Sequence, residues 1–310
     1  MKLGEATMVA PAQPESYYGR PVIKSPVWKP EIPWYLFAGG LAGASTMLAW
    51  AADVSGNRRL GRNAGLIALA AGTGSPVLLI SDLGVPARFF NMLRVFKVSS
   101  PMNLGSWFLA ATGTTAGIAT ARETLGLFDR LGRFARGFSA VFGLPLATYT
   151  AALLSNTAVP VWHEARRELP FVFAGTSAAS AGAAAMVVTR ARDAGPARRL
   201  AVLGVVGEGT AVQLMERRLG ELGEPYRTGR AGRFVKLAKS LSMAGAALTA
   251  ITGRRRAGAV AGGGLILAGA VCERWAIFSA GFQSASDPKY TVRPQRARLE
   301  SRVKAADGHF

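Results

Sequence analysis

The chain has 310 residues, half of them apolar, with 37 Gly and only 18% charged residues, a composition too apolar for an ordinary water-soluble domain. Lys and Arg still number 37 against 18 Asp and Glu, a net charge of +19, so the charges must gather where the apolar runs are not. One Cys and two His exclude an internal disulfide, an iron–sulfur cluster held by this chain alone and a bis-histidine haem between its helices.

Residues 1–31 read as a polar tail rich in proline (Pro11, Pro14, Pro21, Pro26, Pro30). They carry no apolar signal core, so the first span itself is expected to direct insertion. Uncharged runs follow at 32–52, 63–81, 98–121, 137–163 and 169–189, each close to the roughly 20 residues that cross a bilayer. Three more apolar segments hold a few ionisable residues: 200–215 around Glu208, 234–253 behind Lys236 and Lys239, and 257–281 around Glu273 and Arg274. The expected fold is an all-α integral membrane domain over 32–281 with eight transmembrane helices, divisible into two four-helix bundles, followed by a basic tail at 282–310. Helices buried in a soluble core would show charged outer faces, and a barrel would alternate at every second residue; these runs do neither.

Small residues recur in the first, fifth and last spans, among them Gly39, Gly43, Ser177, Gly182, Gly258 and Gly262. Lipid gives helices no hydrophobic reason to associate, so such residues argue for close backbone packing. Pro76 and Pro145 are expected to kink the second and fourth spans.

With the spans so drawn, the loops 53–62, 122–136, 190–199 and 254–256 hold 14 basic and 4 acidic residues, and the opposite loops 12 and 6. Basic charge kept in the cytoplasm is counted over short loops, which places the first set inside and both termini outside. Basic residues that bracket nearly every span are explained by topology and by lipid headgroups, not by nucleic acid.

Ionisable residues at membrane depth are the first functional candidates. Glu208 is either a protonated or hydrogen-bonded structural carboxyl or a proton relay. Glu273 and Arg274 are neighbours on one helix and point about 100° apart, so each is expected to find its partner on another helix, with Asp82 or Glu208 as options for Arg274. The segment 81–96, with Arg88, Phe89, Phe90 and Arg94, reads as an interfacial helix. The stretch from Tyr149 through Asn156 to Trp162 and His163 is able to hydrogen-bond and cover a carbonyl-bearing lipophile; an aromatic belt explains Trp162 equally well.

The chain resembles the NrfD/PsrC family of integral membrane subunits. The resemblance lies in Ser81-Asp82-Leu83-Gly84 with Pro86 and Arg88-Phe89, in Ser100-Pro101-Met102-Asn103-Leu104-Gly105-Ser106-Trp107, and in Tyr149-Thr150-Ala151-Ala152-Leu153-Leu154 with Pro160 and Trp162. It continues through Pro170-Phe171 and Phe173-Ala174 to Glu273-Arg274, Ala280-Gly281, Ser284-Ala285 and Asp287-Pro288. It implies a quinone-binding anchor that passes electrons between a ferredoxin-like iron–sulfur subunit, itself joined to a molybdopterin or tungstopterin catalytic subunit, and menaquinone or ubiquinone in the cytoplasmic membrane. It also implies a quinone pocket at the end of the bundle facing the iron–sulfur partner, drawing on Trp34, Tyr35, Asp82, Arg88, Tyr149, Asn156, Trp162 and His163, with Tyr149 as hydrogen-bond donor. The family's Asn and His near the first helix are missing between Glu31 and Trp50, and His163 is expected to substitute. Asp82, Glu208, Glu273 and Arg274 are the proton-path candidates, and no metal site is expected. A small-solute transporter, or an anchor with a degenerate pocket, are the other readings of the same composition.

Overall fold

The structure, a computed structural model, describes residues 21–296 and Leu299. The first 20 residues of the polar tail, and the end of the basic tail with His309, lie outside the described residues. Among the described residues all regular structure is helical: α1 (Glu31–Val54), α2 (Arg58–Leu83), α3 (Ala87–Arg94), α4 (Pro101–Leu125), α5 (Asp129–Ser155), α6 (Pro160–Glu164), α7 (Leu169–Val188), α8 (Gly195–Leu219), α9 (Gly229–Thr252) and α10 (Arg256–Ser286), with 3₁₀ turns at Ala165–Arg167 and Gly220–Tyr226.

Local chemistry sets the ends. The Asn57 side chain accepts from the Leu60 N–H to start α2, and the Ser100 side chain accepts from Asn103 ahead of Pro101 to start α4, each satisfying a backbone donor that the first turn leaves free. Gly84 and Gly126 end α2 and α4 in the left-handed conformation (φ 70° at both), which costs a glycine nothing.

Six helices, α1, α2, α5, α7, α9 and α10, are long and apolar enough to cross a bilayer. The expected eight are therefore reduced to six by this measure. α4 and α8 have 25 residues each, but Gly, Ser, Thr and Asn103 dilute the first. The second carries Arg198, Arg199, Glu208, Glu216, Arg217 and Arg218. Large apolar side chains stand exposed on the flanks, Trp50, Val77, Phe134, Leu203 and Ile251 among them, as a lipid solvent permits and water does not.

By their contacts the long helices sort into α1, α2, α4 and α5 on one side and α7 to α10 on the other, with α1 and α5 meeting α7 between them. Backbones approach closely at small residues. A Cβ on Gly43 would stand 2.8 Å from the Ala147 nitrogen of α5, and one on Gly204 would stand 2.7 Å from Ala179 Cα of α7, closer than real side chains come.

Successive long helices run in alternating directions, so the molecule has two ends. The near face gathers the starts of α1, α4, α7 and α9. Lys29 there donates its N–H to Asp82 (2.9 Å), and Arg218 pairs with Glu168. The far face gathers the opposite ends: Asn57 donates to the Asp193 carbonyl (2.8 Å), and Arg256 to the Thr189 carbonyl (3.2 Å).

Two expected boundaries move. The run 137–163 is not one helix: α5 stops at Ser155, and α6 begins afresh at Pro160, whose ring fits a first helical turn but not an interior. The loop 122–136 is mostly helix, since α4 continues to Leu125 and α5 starts at Asp129. Pro76 and Pro145 lie inside α2 and α5. α3 forms within the segment read as interfacial, with Phe89 buried and Phe90 exposed.

Candidate functional site

The near face brings together residues from the start of α1, the end of α2, the end of α5 and α6. Trp34 is 45% exposed and faces outward, whereas Tyr35, beside it, is fully buried in the core. Asp82 is half-buried and accepts the Lys29 N–H, tying the segment ahead of α1 to the end of α2. Arg88 is exposed and donates to the Leu83 carbonyl at 3.2 Å, folding α3 back on α2.

Tyr149 is buried against α4. Its ring lies over Gly105, where any Cβ would overlap it, and meets Phe108 edge-on at 6.4 Å between centroids. Gly105 is thus a cradle that fixes the ring. Asn156 is exposed where α5 ends, and the His163 Nδ1 lies 3.1 Å from the Ser155 carbonyl. That contact holds the imidazole against the end of α5 and leaves Nε2 free.

Trp162 has a structural job that sequence reading left open. It is fully buried, donates its indole N–H to the Ile277 carbonyl of α10 (2.8 Å) and stacks on Trp28 at 5.4 Å. Its ring occupies the space a Cβ on Gly281 would fill. Trp162 therefore joins the two helix groups at this face instead of forming part of an aromatic belt.

The motif 100–107 also gains a physical account. Asn103 is buried, donates to the Met92 and Val95 carbonyls (2.5 and 2.8 Å) and accepts the Lys97 N–H (2.7 Å). One side chain thereby satisfies three backbone groups in the loop between α3 and α4. Trp107 adds a second donor to the Val95 carbonyl at 3.2 Å.

The charges at membrane depth form a trio in the second helix group. Glu208 sits on α8, and Glu273 and Arg274 on α10; all three are buried. Glu208 lies roughly 17 Å along the helix from Leu219 at about 1.5 Å per residue. The expectation that Glu273 and Arg274 each find a partner on another helix holds only in part: Arg274 Nε also stands 3.6 Å from Glu273 Oε2, because a long guanidinium stem swings back over its own helix. Its other contacts are on α7, where it donates to the Phe173 carbonyl (3.3 Å) and Ser177 Oγ (3.5 Å) and lies 3.6 Å from the centroid of the Phe173 ring. Asp82 is not a partner of Arg274, since it is held by Lys29 at the near face. Glu208 acts on both Glu273 and Arg274 electrostatically.

A second buried cluster was not anticipated. Arg136, which the charge count had assigned to a loop, is 3% exposed on α5. It donates to Asp53 of α1 (Nε–Oδ2 2.9 Å) and to Glu123 of α4, and it lies against Gly65 of α2. The available signal was spacing: seven residues separate Arg136 from Asp129, so a helix beginning there carries Arg136 two turns inward.

Among the described residues no cluster of three or more His, Cys, Asp or Glu side chains is arranged to hold a metal ion. The donor set at the near face is of another kind: a tyrosine, an amide and an imidazole beside apolar rings fit a neutral, carbonyl-bearing ring.

A bundle of long apolar helices with lipid-facing flanks, its charges gathered mainly toward its ends and in two buried clusters with Lys236 and Lys239 exposed along α9, defines a multi-pass integral membrane protein. The family model described as polysulphide reductase, NrfD matches residues 22–215, and the chain belongs to that family as a membrane subunit of a polysulphide-reductase-like complex. No curated protein matches the chain.

Proposed function

We propose that the chain is the quinone-reactive subunit of a molybdopterin or tungstopterin oxidoreductase of the cytoplasmic membrane, with a ferredoxin-like iron–sulfur subunit docked on the near face. The observation that supports this reading is topological: Trp34, Tyr35, Asp82, Arg88, Tyr149, Asn156, Trp162 and His163 come from four separate segments of sequence, all on the side of the bundle where α1 begins and α2 and α5 end. The match to the NrfD family supports it.

Menaquinone or ubiquinone, when bound, takes up two electrons and two protons. The Tyr149 hydroxyl is the donor to one ring carbonyl, its ring fixed by Gly105 and Phe108, and His163 offers Nε2 while Ser155 restrains Nδ1. Tyr35 and Trp162 act from behind as rigid packing. Trp34 and Arg88 face outward, toward lipid and the docked partner. Protons reach the site by Asp82 at the face and by Glu208, Glu273 and Arg274 from the interior. The electron carriers that feed the site belong to the partners.

In this reading all eight long helices cross the bilayer, α4 escorted by α2 and α5 and α8 by α7, which supplies the polar α4 and α8 with protein neighbours. The far face, with Arg254, Arg255 and Arg256, is cytoplasmic, and both termini are outside.

The test is purification of the tagged chain from its native membrane. Iron–sulfur and molybdenum or tungsten content arriving with it, together with quinone-linked activity that Tyr149→Phe lowers by about tenfold or more, is the expected result. A chain that arrives alone and moves a small solute, or a complex indifferent to Tyr149→Phe, overturns the reading. Cysteines placed singly at Arg130 and Glu221 in a Cys272→Ala background report the orientation, with Glu221 expected to label from outside.

A further inference from the structure

In the second helix group α8 packs chiefly on α7 and α9 on α10, and the seam between α8 and α9 is sparsely filled. A cavity of about 130 Å³ lies in that seam. Its walls are apolar, with Val205 and Val212 of α8, Val235 and Met243 of α9, and Ala276 and Ile277 of α10. Its lining also includes Glu208, Glu273, Ser242 and Tyr226, which are 7, 5, 5 and 2% exposed. Glu208 Oε2, both Glu273 carboxyl oxygens, Ser242 Oγ and the Tyr226 hydroxyl are buried there without a hydrogen-bond partner. Arg274 stands 3.6 Å from Glu273 Oε2 and balances its charge, but buried polar atoms are nearly always hydrogen-bonded, so a group of them without such a bond around one space marks a place where something else binds.

The occupant can be narrowed. The space matches the roughly 150 Å³ of a cavity that admits benzene, so it takes a single six-membered ring. Its mouth is formed by the exposed Gly209, Gln213, Lys239 and Met243, which lie partway along α8 and α9, so a ligand enters sideways from the bilayer. A cationic amphiphile meets Lys239 at the mouth, and an anion meets two carboxyl groups inside. What remains is a neutral, lipid-soluble ring bearing hydroxyl or carbonyl groups, whose hydroxyls donate to the carboxyl oxygens and whose carbonyls accept from Tyr226 or Ser242.

We propose that the α8–α9 cavity is a second binding site for a quinone or quinol ring, separate from the near-face site of Tyr149 and His163. The quinone class rests on the proposed function; the cavity and its unpartnered groups do not. Placed beside Glu208 and Glu273, the ring lies next to two buried carboxyl groups of this chain, whereas the near-face site has only the half-buried Asp82, which is held by Lys29.

The experiment uses the full chain in lipid nanodiscs, photolabelled with an azido-substituted benzoquinone carrying a decyl tail and mapped by peptide mass spectrometry. Label is expected in two regions, 149–163 and 205–243, each displaced by excess decyl-benzoquinone. Val212→Trp, which fills the cavity from a half-exposed position, is expected to cut labelling of 205–243 by about tenfold and to leave 149–163 unchanged. Label confined to 149–163, label on 205–243 that excess quinone does not displace, or label there that survives both Val212→Trp and Glu208→Gln overturns the second site. Label on 205–243 without label on 149–163 retains it and removes the near-face site instead.

Discussion

Replacing Arg136 with Met keeps a long unbranched side chain but removes the charge that holds Asp53 and Glu123 at the far face. The Arg136 side chain is 4% exposed, Glu123 13% and Asp53 27%. Removing one partner of a fully buried ion pair costs about 3–5 kcal/mol, because the remaining charge stays desolvated. Water reaches Asp53 and screens part of that cost, so the expected loss is about 2–4 kcal/mol, or roughly 5–10 °C in midpoint for a chain of this size. Thermal unfolding of the detergent-solubilised chain, followed by tryptophan fluorescence at two scan rates to expose irreversibility, measures it. The cluster also predicts non-additivity: Asp53→Asn with Arg136→Met should be less destabilised than the two single losses combined by about 1 kcal/mol or more. A midpoint for Arg136→Met within about 1 °C of the parent, or strictly additive losses, would refute the assignment of this cluster as the clamp on α1, α4 and α5.

Asn103→Ala removes three hydrogen bonds to loop backbone and should loosen 92–97 by about 2–3 kcal/mol; tryptic cleavage after Arg94 and Lys97 should speed up accordingly, and an unchanged cleavage rate would contradict the stapling role. Gly204→Val places new atoms against Ala179 and Gly175 of α7, and the overpacking should cost about 1–3 kcal/mol, read as a lowered midpoint, while Gly207→Val, which points into open space, should not. At the near face Lys289 Nζ donates to Glu224 (3.0 Å), and that hydrogen bond holds the Glu224 carboxyl below its ordinary range and raises Lys289. A depressed acid stabilises above its unfolded value of about 4.3 and loses that contribution as pH falls through its lower folded value. A spin label at Gln295 should therefore stay immobile at neutral pH and loosen only on acidification below that range. Glu224→Gln should abolish the acid transition, and its persistence would show that another group controls the segment.

The membrane architecture was legible because it depends on long-range absence of charge, which a sequence displays directly. The ends of helices were less so. Counting charges to define loops assigned Arg136 to 122–136, because an arginine near a span looks the same whether it faces solvent or turns inward to a carboxylate. The break after Ser155 was visible only as Pro160, which inside a long apolar run reads as a kink as readily as a new start. The residues of the near face can be picked out in the sequence as hydrogen-bonding and aromatic types, but their different environments come from packing: Tyr35 and Trp162 are enclosed by neighbours distant in sequence, and no local pattern distinguishes them from Trp34.

The two buried arginines make a comparison that sharpens what each cluster does. Both face two carboxyl groups, yet Arg136 donates hydrogen bonds to Asp53 and to Glu123, whereas Arg274 donates through one terminal nitrogen to the Phe173 carbonyl and Ser177, makes no hydrogen bond through Nε or the other terminal nitrogen, and stands 3.6 Å from Glu273. A charge network bonded across three helices resists rearrangement and specifies a packing. In the second cluster the Glu208 and Glu273 side chains border a cavity while Glu208 Oε2 and both Glu273 oxygens lack a hydrogen-bond partner, so this cluster is less tightly bonded than the first. The family match at 22–215 takes in the first cluster and Glu208, while Glu273 and Arg274 lie beyond it.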